Sequence, residues 1–255
     1  AAMTARYGKD VAFKLLQEAH LDSAAFVRSV MTEEAIDCDY EQVGRFRGFW
    51  HTHEYETTAR ELEQLQKLLP IEASLLSRAQ QHQAVASDLY RGGVVYHQHA
   101  AINPAKWVFG LHRAAVDHGA LIQRNTAVLG FEKSLHGHVV KTTRGEVKSN
   151  KVLLATNGYT PPQMGALRRR VFPVPSFIIS TDELGRDRLR QLFPSDMMVV
   201  ESRTRHCYYR PSPDKTRIIF GARAAMFDAP EALVVSQLRK LLGQIFPQLR
   251  QVKIS

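Results

Sequence analysis

Hydrophobic residues recur every three to four positions in several segments of the chain, which is the spacing of one face of an α-helix. This spacing predicts four helices, over residues 11–30, 54–69, 104–119 and 231–246. The third has both end signals, because Asn103 is a good N-cap, Pro104 suits the first helical position and Gly119 can end a helix. The apolar face of the fourth is predicted to contain Leu233, Leu238, Leu241, Leu242 and Ile245.

Apolar runs and alternating patterns between turn signals predict β-strands in the remaining segments. The predicted strands cover residues 43–51, 94–96, 127–132, 138–143, 147–156, 171–181, 197–201, 207–210 and 217–221. Gly137 and Gly145 mark the turns of the meander in the middle of the chain. The order of elements predicts an α/β centre with mixed β-rich segments on either side, arranged as two interleaved domains.

The composition is that of an ordinary globular protein. The chain has 255 residues, 44% of them hydrophobic, so it can bury a core without disulfide or metal staples. No apolar run approaches the roughly 20 residues that a membrane span requires. Cys38 and Cys207 match no metal or redox spacing, and the first thirty residues lack the order of a secretory signal. We therefore expect a cytoplasmic protein with two buried thiols.

The net charge of +9, from 34 basic and 25 acidic residues, suggests an anionic partner. The basic residues are spread along the chain, and the one dense run, residues 168–170, is predicted to be a solvated loop. No zinc-finger, basic-zipper or RNA-binding signature is present. Nucleic-acid binding is therefore the third choice of function, to be tested by the salt dependence of binding.

Six of the eleven histidines form three His-x-His pairs, at residues 51 and 53, 97 and 99, and 136 and 138. On a strand this spacing places both imidazoles on one face, as a metal site requires. Nothing in the sequence indicates that the pairs converge, and the third lies at a predicted hairpin tip. We expect no metal site.

The most informative stretch is residues 152–160, where an apolar strand runs into a turn of small residues. Such a turn lets the backbone approach a ligand closely, because no large side chain intervenes. The same pattern also occurs at purely structural strand ends. By itself the stretch leaves both interpretations open.

Several further segments, in their order and spacing, resemble the flavoenzyme family that includes D-amino-acid oxidase, glycine oxidase and sarcosine oxidase. The branch most similar is the γ-glutamylputrescine oxidase type, and the resemblance spans nearly the whole chain. The segments are Gly92-Gly93-Val94-Val95, Asn103-Pro104, Gly110-Leu111-His112-Arg113-Ala114-Ala115, Gly119-Ala120, Ala155-Thr156-Asn157-Gly158-Tyr159, residues 173–181, Tyr208-Tyr209-Arg210-Pro211 and Ile218-Ile219-Phe220-Gly221-Ala222-Arg223.

The resemblance implies an interrupted, Rossmann-like FAD-binding domain with an inserted substrate domain of antiparallel sheet. Residues 1–37 are then a helical remnant of the flavin domain and residues 99–170 its middle segment, while residues 38–98 and 171–255 build the substrate domain. The implied reaction is oxidative deamination of an amine or amino acid. Hydride leaves the carbon beside the nitrogen for the flavin, and the imine is hydrolysed.

The resemblance also places residues in the two sites. Val128 matches an adenine-side backbone contact of FAD, and Ala155, Thr156, Asn157 and Gly158 line the cofactor edge. Tyr208, three residues before Pro211, matches a substrate-contacting tyrosine, although it is also typical of a core aromatic residue. Tyr209 alternates to the opposite face of the strand.

Further candidates follow from chemistry, because the planar fork of donors on a guanidinium matches the two oxygens of a substrate carboxylate. The candidates are Arg205, Arg210 and Arg223, each of which is also typical of a surface arginine, and His51 on the strand expected to roof the substrate cavity.

One family feature is missing from these residues, since no Gly-x-Gly-x-x-Gly turn occurs in the sequence. We therefore expect the interior of a longer flavoenzyme, one that by itself holds FAD weakly and oxidises nothing. The alternative is a non-catalytic binding or scaffold module. Apolar surface left open around Trp107, Leu111 and Val152 predicts a homo-oligomer.

Overall fold

Two β-sheets organise the chain, one of seven strands and one of three. The structure is a computed structural model that describes residues 2–204, 206–223 and 229–255. The larger sheet belongs to a unit made of Ala1–Ala114 and Ser176–Ser255, and the smaller sheet to a unit made of Ala115–Pro175. The division into four segments predicted from the sequence stays a prediction.

The helices follow the hydrophobic periodicity closely. In chain order they are α1 (Ala2–Tyr7), α2 (Lys9–Gln17), α3 (Ser23–Glu33), α4 (Thr52–Leu68), α5 (Pro104–Asp117), α6 (Gly165–Arg168), α7 (Arg186–Leu192) and α8 (Glu231–Ile245). A π-helical turn, Glu18–Asp22, joins α2 to α3, and 3₁₀ turns occupy Gln81–Gln83, Asn157–Tyr159 and Pro247–Leu249. The predicted cap of α5 is confirmed, because the Asn103 carboxamide oxygen accepts from the N–H groups of Ala105 (3.2 Å) and Lys106 (3.3 Å).

The strands are β1 (Arg45–Gly48), β2 (Ala73–Leu76), β3 (Gly93–Tyr96), β4 (Val128–Ser134), β5 (Gly137–Thr142), β6 (Gly145–Ser149), β7 (Phe177–Ser180), β8 (Met198–Glu201), β9 (Cys207–Pro211) and β10 (Ile218–Ala222). The large sheet has the order β2-β3-β1-β8-β9-β10-β7, and β4, β5 and β6 form the small meander. Every pair in the large sheet is antiparallel except β1 with β8, which is parallel. The expected antiparallel sheet is therefore mixed at this one junction.

The main core lies on one face of the large sheet. Alternate strand residues such as Phe46, Val199 and Phe220 are buried there, together with residues of α7 and α8. Leu238 and Leu242 of α8 have no exposed surface. The prediction for Leu233 is wrong, because it is 52% exposed. Five residues before Leu238, it points about 140° away around the helix.

Three predicted strands are shorter in the structure, and backbone pairing explains the difference for two of them. The strand predicted over residues 147–156 ends at Ser149, and Leu153 beyond it is 91% exposed. A strand needs a hydrogen-bonded neighbour, and within the described residues no strand pairs with residues 150–156. In the segment 171–181, Pro173 and Pro175 have no N–H group to donate to a neighbouring strand. Only Phe177–Ser180 therefore pairs within the sheet. The segment 43–51 contributes only Arg45–Gly48.

Four of these helices and strands were not predicted, namely α1, α6, α7 and β2, and the arginine run expected to be a loop begins inside α6. Among the helices that the structure describes, none is long and apolar enough to cross a membrane.

Candidate functional site

A cavity of about 570 Å³ opens on the face of the large sheet opposite the main core. Its lining includes Arg45, Met198, Val200, Tyr208, Arg210 and Ile219. These residues alternate along β1, β8, β9 and β10 with the buried core residues, so the period-two pleat of the strands directs them to the open face.

The cavity combines apolar walls with positive charge. Three basic side chains line it, those of Arg45, Arg210 and His206. No Asp or Glu is found among the described residues of the lining. A concave, mostly apolar surface with a few polar groups is the usual form of a small-molecule site. This cavity therefore suits a ligand with an apolar part and an acidic group.

Tyr208 lies across the middle of this face, and the residue opposite it explains why the ring fits. Gly221 of β10 pairs with Tyr208 of β9. A Cβ atom at Gly221 would lie only 2.2 Å from Cε2 of the Tyr208 ring, so glycine leaves the space that the ring occupies. The Tyr208 hydroxyl makes a hydrogen bond with the hydroxyl of Ser176.

Tyr209 points to the opposite, buried face, as the predicted alternation requires. Its hydroxyl lies 2.6 Å from the hydroxyl of Tyr90, which donates to Glu201 Oε1 at 3.0 Å. Burial raises the pKa of Glu201, although the ion pair with Arg203 and the hydrogen bond from Tyr90 act in the opposite direction. This network fixes the ends of β8 and β9, and so the base of the loop that carries His206.

Arg210 is the predicted site residue whose position suits ligand binding best. It is half-buried in the cavity wall, and its Nη2 donates to the carbonyl oxygen of Ile102 at 2.9 Å. This bond uses one of the five guanidinium donors, and the others can bind a carboxylate.

His206 lines the same cavity and was not predicted from the sequence. Its ring centroid lies 6.2 Å from that of Tyr208. Burial, followed by the positive charge of Arg223, lowers the pKa of His206. The imidazole is therefore favoured in its neutral form, in which one ring nitrogen can accept a proton or a hydrogen bond.

The other candidates lie elsewhere. Arg223 is exposed and lines a separate groove of about 560 Å³ with Gln237 and Lys240 of α8. His51 is the exposed N-cap residue of α4, with its ring stacked on that of His53 at 5.5 Å. Arg205 lies outside the described residues. The structure brings Tyr208 and Arg210 together in one cavity and does not bring Arg223 or His51 to its wall.

The residues predicted to contact FAD belong to the unit Ala115–Pro175. Val128 is half-buried at the start of β4, beside a register irregularity between Val128 and Gly130. Ala155 and Thr156 precede the 3₁₀ turn Asn157–Tyr159, and Asn157 has a left-handed φ of 47°.

One of these residues, Gly158, leaves room beside its backbone. A Cβ atom at Gly158 would meet only the Cβ of Pro173, at 3.9 Å, so the turn has room for close approach by a ligand. The sequence holds no Gly-x-Gly-x-x-Gly turn for the pyrophosphate. The space at Gly158 is compatible with one edge of a flavin dinucleotide, and these 255 residues offer no glycine-rich turn for its phosphates.

The histidine pairs do not assemble a metal centre in the part of the chain that the structure describes, where no three His, Cys, Asp or Glu residues could hold one ion. His97 instead makes a hydrogen bond of 2.8 Å with the hydroxyl of Ser74.

Comparison with known proteins identifies the family. The model of the FAD dependent oxidoreductase family (DAO) matches residues 3–255. The chain is 28% identical over 254 residues to gamma-glutamylputrescine oxidoreductase of Escherichia coli (strain K12), covering 97% of this chain and 58% of that protein. It is 30% identical over 182 residues to the probable oxidoreductase OrdL of Rhizobium meliloti (strain 1021), covering 71% of this chain and 42% of that protein.

Solved structures share the fold. Glycine oxidase from Geobacillus kaustophilus aligns with a TM-score of 0.73 at 18% identity, covering 92% of this chain and 64% of that one. L-proline dehydrogenase from P. horikoshii aligns with a TM-score of 0.71 at 18% identity, covering 92% and 63%. The predicted fold class, α/β with an added sheet-based domain, is confirmed by this likeness.

The chain spans less than two thirds of the length of these relatives. The family inferred from the order of the sequence motifs is confirmed by the match over residues 3–255. This chain belongs to the FAD dependent oxidoreductase family.

Proposed function

We propose that this chain supplies the substrate cavity, and part of the FAD-binding unit, of an oxidoreductase that acts on an amine or amino acid. The observation that carries the proposal is the cavity on the open face of the large sheet, where Tyr208 and Arg210 lie side by side with apolar walls. The names of the relatives support the substrate class, since they include a gamma-glutamylputrescine oxidoreductase, a glycine oxidase and an L-proline dehydrogenase.

The residues of the cavity have distinct roles in this proposal. Arg210 binds the acidic group of the substrate with its free guanidinium donors, while Tyr208 contacts the substrate with its ring. Met198, Val200 and Ile219 exclude water from the apolar part of the ligand. Val128, Ala155, Thr156, Asn157 and Gly158 would hold one edge of FAD, and the cofactor would supply the hydride acceptor for oxidation of the carbon beside the amine nitrogen.

The same proposal assigns Val128, Ala155, Thr156, Asn157 and Gly158 to the cofactor edge. The 255 residues contain no glycine-rich pyrophosphate turn, so we expect the isolated polypeptide to hold FAD weakly and to oxidise nothing. The test is a visible spectrum after incubation with excess FAD and desalting. A colourless protein is expected, and stoichiometric retained flavin would contradict this part of the proposal.

Activity is tested in a chimera, in which these residues replace the aligned region of the Escherichia coli gamma-glutamylputrescine oxidoreductase. Anaerobic addition of amines and amino acids should bleach the flavin absorbance of the chimera. Arg210→Met should slow the bleaching by amino acids by at least tenfold, while Arg239→Met, a matched change at an exposed position of α8, should have little effect. A flavin-loaded chimera that no amine or amino acid reduces would favour the second candidate, a non-catalytic binding module.

The two cysteines support a cytoplasmic location for this protein. Both Cys38 and Cys207 are buried and free. Burial raises the pKa of Cys207 to about 12, so its thiol is unreactive, as is typical of a protein kept in a reducing compartment.

A further inference from the structure

Arg45, at the start of β1, is a cavity residue that the proposed function does not use. Its side chain is half-buried, and burial lowers its pKa. Within the described residues it makes no ion pair and no hydrogen bond, and its Nε is buried without a partner. Its one specific contact is with the Tyr96 ring, whose centroid lies 5.2 Å from the guanidinium carbon.

A half-buried guanidinium without an acidic partner is uncommon, because burying a charge is unfavourable unless an opposite charge or hydrogen bonds compensate. The contact with Tyr96 compensates only in part, since a cation–π contact contributes on the order of 1 kcal/mol. Arg45 is one of the residues that line the cavity, and its guanidinium lies over the Tyr96 ring on the neighbouring strand β3. This places an uncompensated positive charge where a ligand binds.

The neighbours of Arg45 add no negative charge. Tyr96 stacks on His99, with ring centroids 5.1 Å apart, and on His20 at 6.5 Å. Burial and then the charge of Arg45 lower the pKa of His99 to about 4 and lower that of His20. Arg47, two residues along the same strand, is a further positive charge. No carboxylate is among the charged neighbours described for Arg45 itself, and the acidic residues Asp22 and Glu72 line a separate cleft with His20.

The strand register fixes where this charge lies relative to Arg210. Arg45 pairs with Met198 across the parallel β1–β8 junction. Val199 pairs with Tyr209, and continuing this antiparallel register places Arg210 beside Met198. The two arginines thus flank Met198 on one face, with Cα atoms about 10 Å apart for two strand spacings.

We propose that Arg45 is a specificity-determining residue that binds a second carboxylate, so that the cavity selects amines or amino acids with two acidic groups. The inference rests on the proposed function for the amine part of the ligand. One carboxylate binds Arg210 and the other binds Arg45, with the chain between them packed on Met198. A guanidinium at each end suits a short dicarboxylate because each carboxylate can be bound in bidentate fashion.

The test uses the 255-residue chain and two simple probes, glutarate with two carboxylates and butyrate with one. Calorimetric titration should give a dissociation constant at least fivefold lower for glutarate than for butyrate. Arg45→Met should remove this preference, whereas Arg47→Met, which removes an exposed charge from the same strand and face, should keep it. An unchanged preference in Arg45→Met, or no binding of glutarate to the unchanged chain, would overturn the proposal.

A second measurement needs no substitution and so does not depend on how well the variant folds. An anion bound to Arg45 offsets its charge, and the pKa of His99, followed by proton NMR, should rise when glutarate is added. Butyrate or chloride at equal ionic strength should raise it much less. An equal response to all three anions would contradict specific binding at Arg45.

The outcomes separate this inference from the proposed function. If only the Arg45 assignment fails, the chimera still oxidises amino acids and shows no preference for those with two carboxylates. If only the proposed function fails, glutarate still binds through Arg45, but no amine or amino acid bleaches the flavin of the chimera.

Discussion

Tyr208 depends on a residue that has no side chain. We predict that Gly221→Ala destabilises the protein by about 1–3 kcal/mol, because the new methyl group would lie 2.2 Å from the Tyr208 ring and force it to move. Urea unfolding measures the change. Gly130→Ala is the control, since no atom lies within 4 Å of its Cβ position and its unfolding free energy should change little. Equal effects would show that the ring is not held by this contact.

His99 gives the protein a predictable response to acid. Its pKa is lowered from 6.5 to about 4, so the unfolded chain binds more protons and stability falls as the pH drops below 6.5. With allowance for its half-exposed ring, we predict that the unchanged chain loses about 1 kcal/mol more than His99→Gln between pH 7 and pH 5. Urea unfolding at both pH values tests this. His53→Gln, which changes an exposed ring, should lose as much unfolding free energy between pH 7 and pH 5 as the unchanged chain. An equally large loss in His99→Gln would contradict the prediction.

Residues were predictable from the sequence where a local pattern identifies them. Tyr208 follows from the family resemblance and Arg210 from the chemistry of its guanidinium group, and the cavity contains both. No local sequence pattern marks Arg45 or His206 as a cavity residue. In the sequence, an arginine within a strand is indistinguishable from a surface arginine. Their burial results from the pairing of strands that are distant in sequence, as where Arg45 of β1 pairs with Met198 of β8. No short segment of sequence reveals such a pairing.

At the scale of elements, the start of α4 is held by one carboxylate. Glu54 Oε2 accepts from the N–H groups of Trp50 (2.9 Å) and His51 (2.8 Å) and from the hydroxyl of Ser202 (2.7 Å). Burial opposes ionisation of Glu54, but these hydrogen bonds prevail and lower its pKa. The helix is thereby capped and tied to the end of β8.

We predict that Glu54→Ala costs about 1–3 kcal/mol of unfolding free energy at pH 7, because the His51 N–H and the Ser202 hydroxyl lose their acceptor while the Trp50 N–H keeps only the Ser202 oxygen. Glu56→Ala, at an exposed position of the same helix, should cost less than about 0.5 kcal/mol. The cost of Glu54→Ala should also shrink as the pH falls through the lowered pKa, since the protonated side chain accepts these bonds less well. Denaturant unfolding of both variants at pH 7 and pH 3 measures these costs. Equal costs of the two substitutions at pH 7 would contradict the capping role of Glu54.

Long elements were predicted better than short ones. α8 and α4 have enough turns for their periodicity to be clear, whereas α7 has seven residues and begins after Gly185, with no polar N-cap side chain. The strand expected through Val152 and Ala155 failed for a different reason. Its apolar run is suitable for a buried strand, but a strand forms only beside a partner, and the composition of one segment does not reveal the partner.

At the scale of the whole molecule, the unit Ala115–Pro175 exposes large apolar side chains. Those most exposed are Leu121, Leu135, Leu153 and Tyr159. Of the residues named for this role from the sequence, Val152 lies in this unit and is partly buried, while Leu111, which is exposed, and Trp107, which is partly buried, belong to the other unit. Exposed apolar groups favour association, because contact between copies removes them from water.

We predict that the isolated polypeptide self-associates, with an apparent mass that rises with concentration. Leu153→Ser combined with Leu154→Ser should shift the rise to concentrations at least severalfold higher, while Lys151→Ser, a polar change in the same segment, should leave it in place. Light scattering coupled to size-exclusion chromatography measures the mass. A monomer over a wide concentration range would rule out this association.

The parallel pair of β1 and β8 has a consequence for how the chain is made. The two strands lie roughly 150 residues apart in sequence, with the unit Ala115–Pro175 between them. At about 5–20 residues per second, a ribosome needs roughly 8–30 s after completing β1 to deliver β8. During that interval β2, β3 and β1 can pair with one another, but one edge of β1 stays open. An open edge can pair with another nascent chain, so mispairing during synthesis is expected to concentrate at the β1–β8 junction in the centre of the sheet.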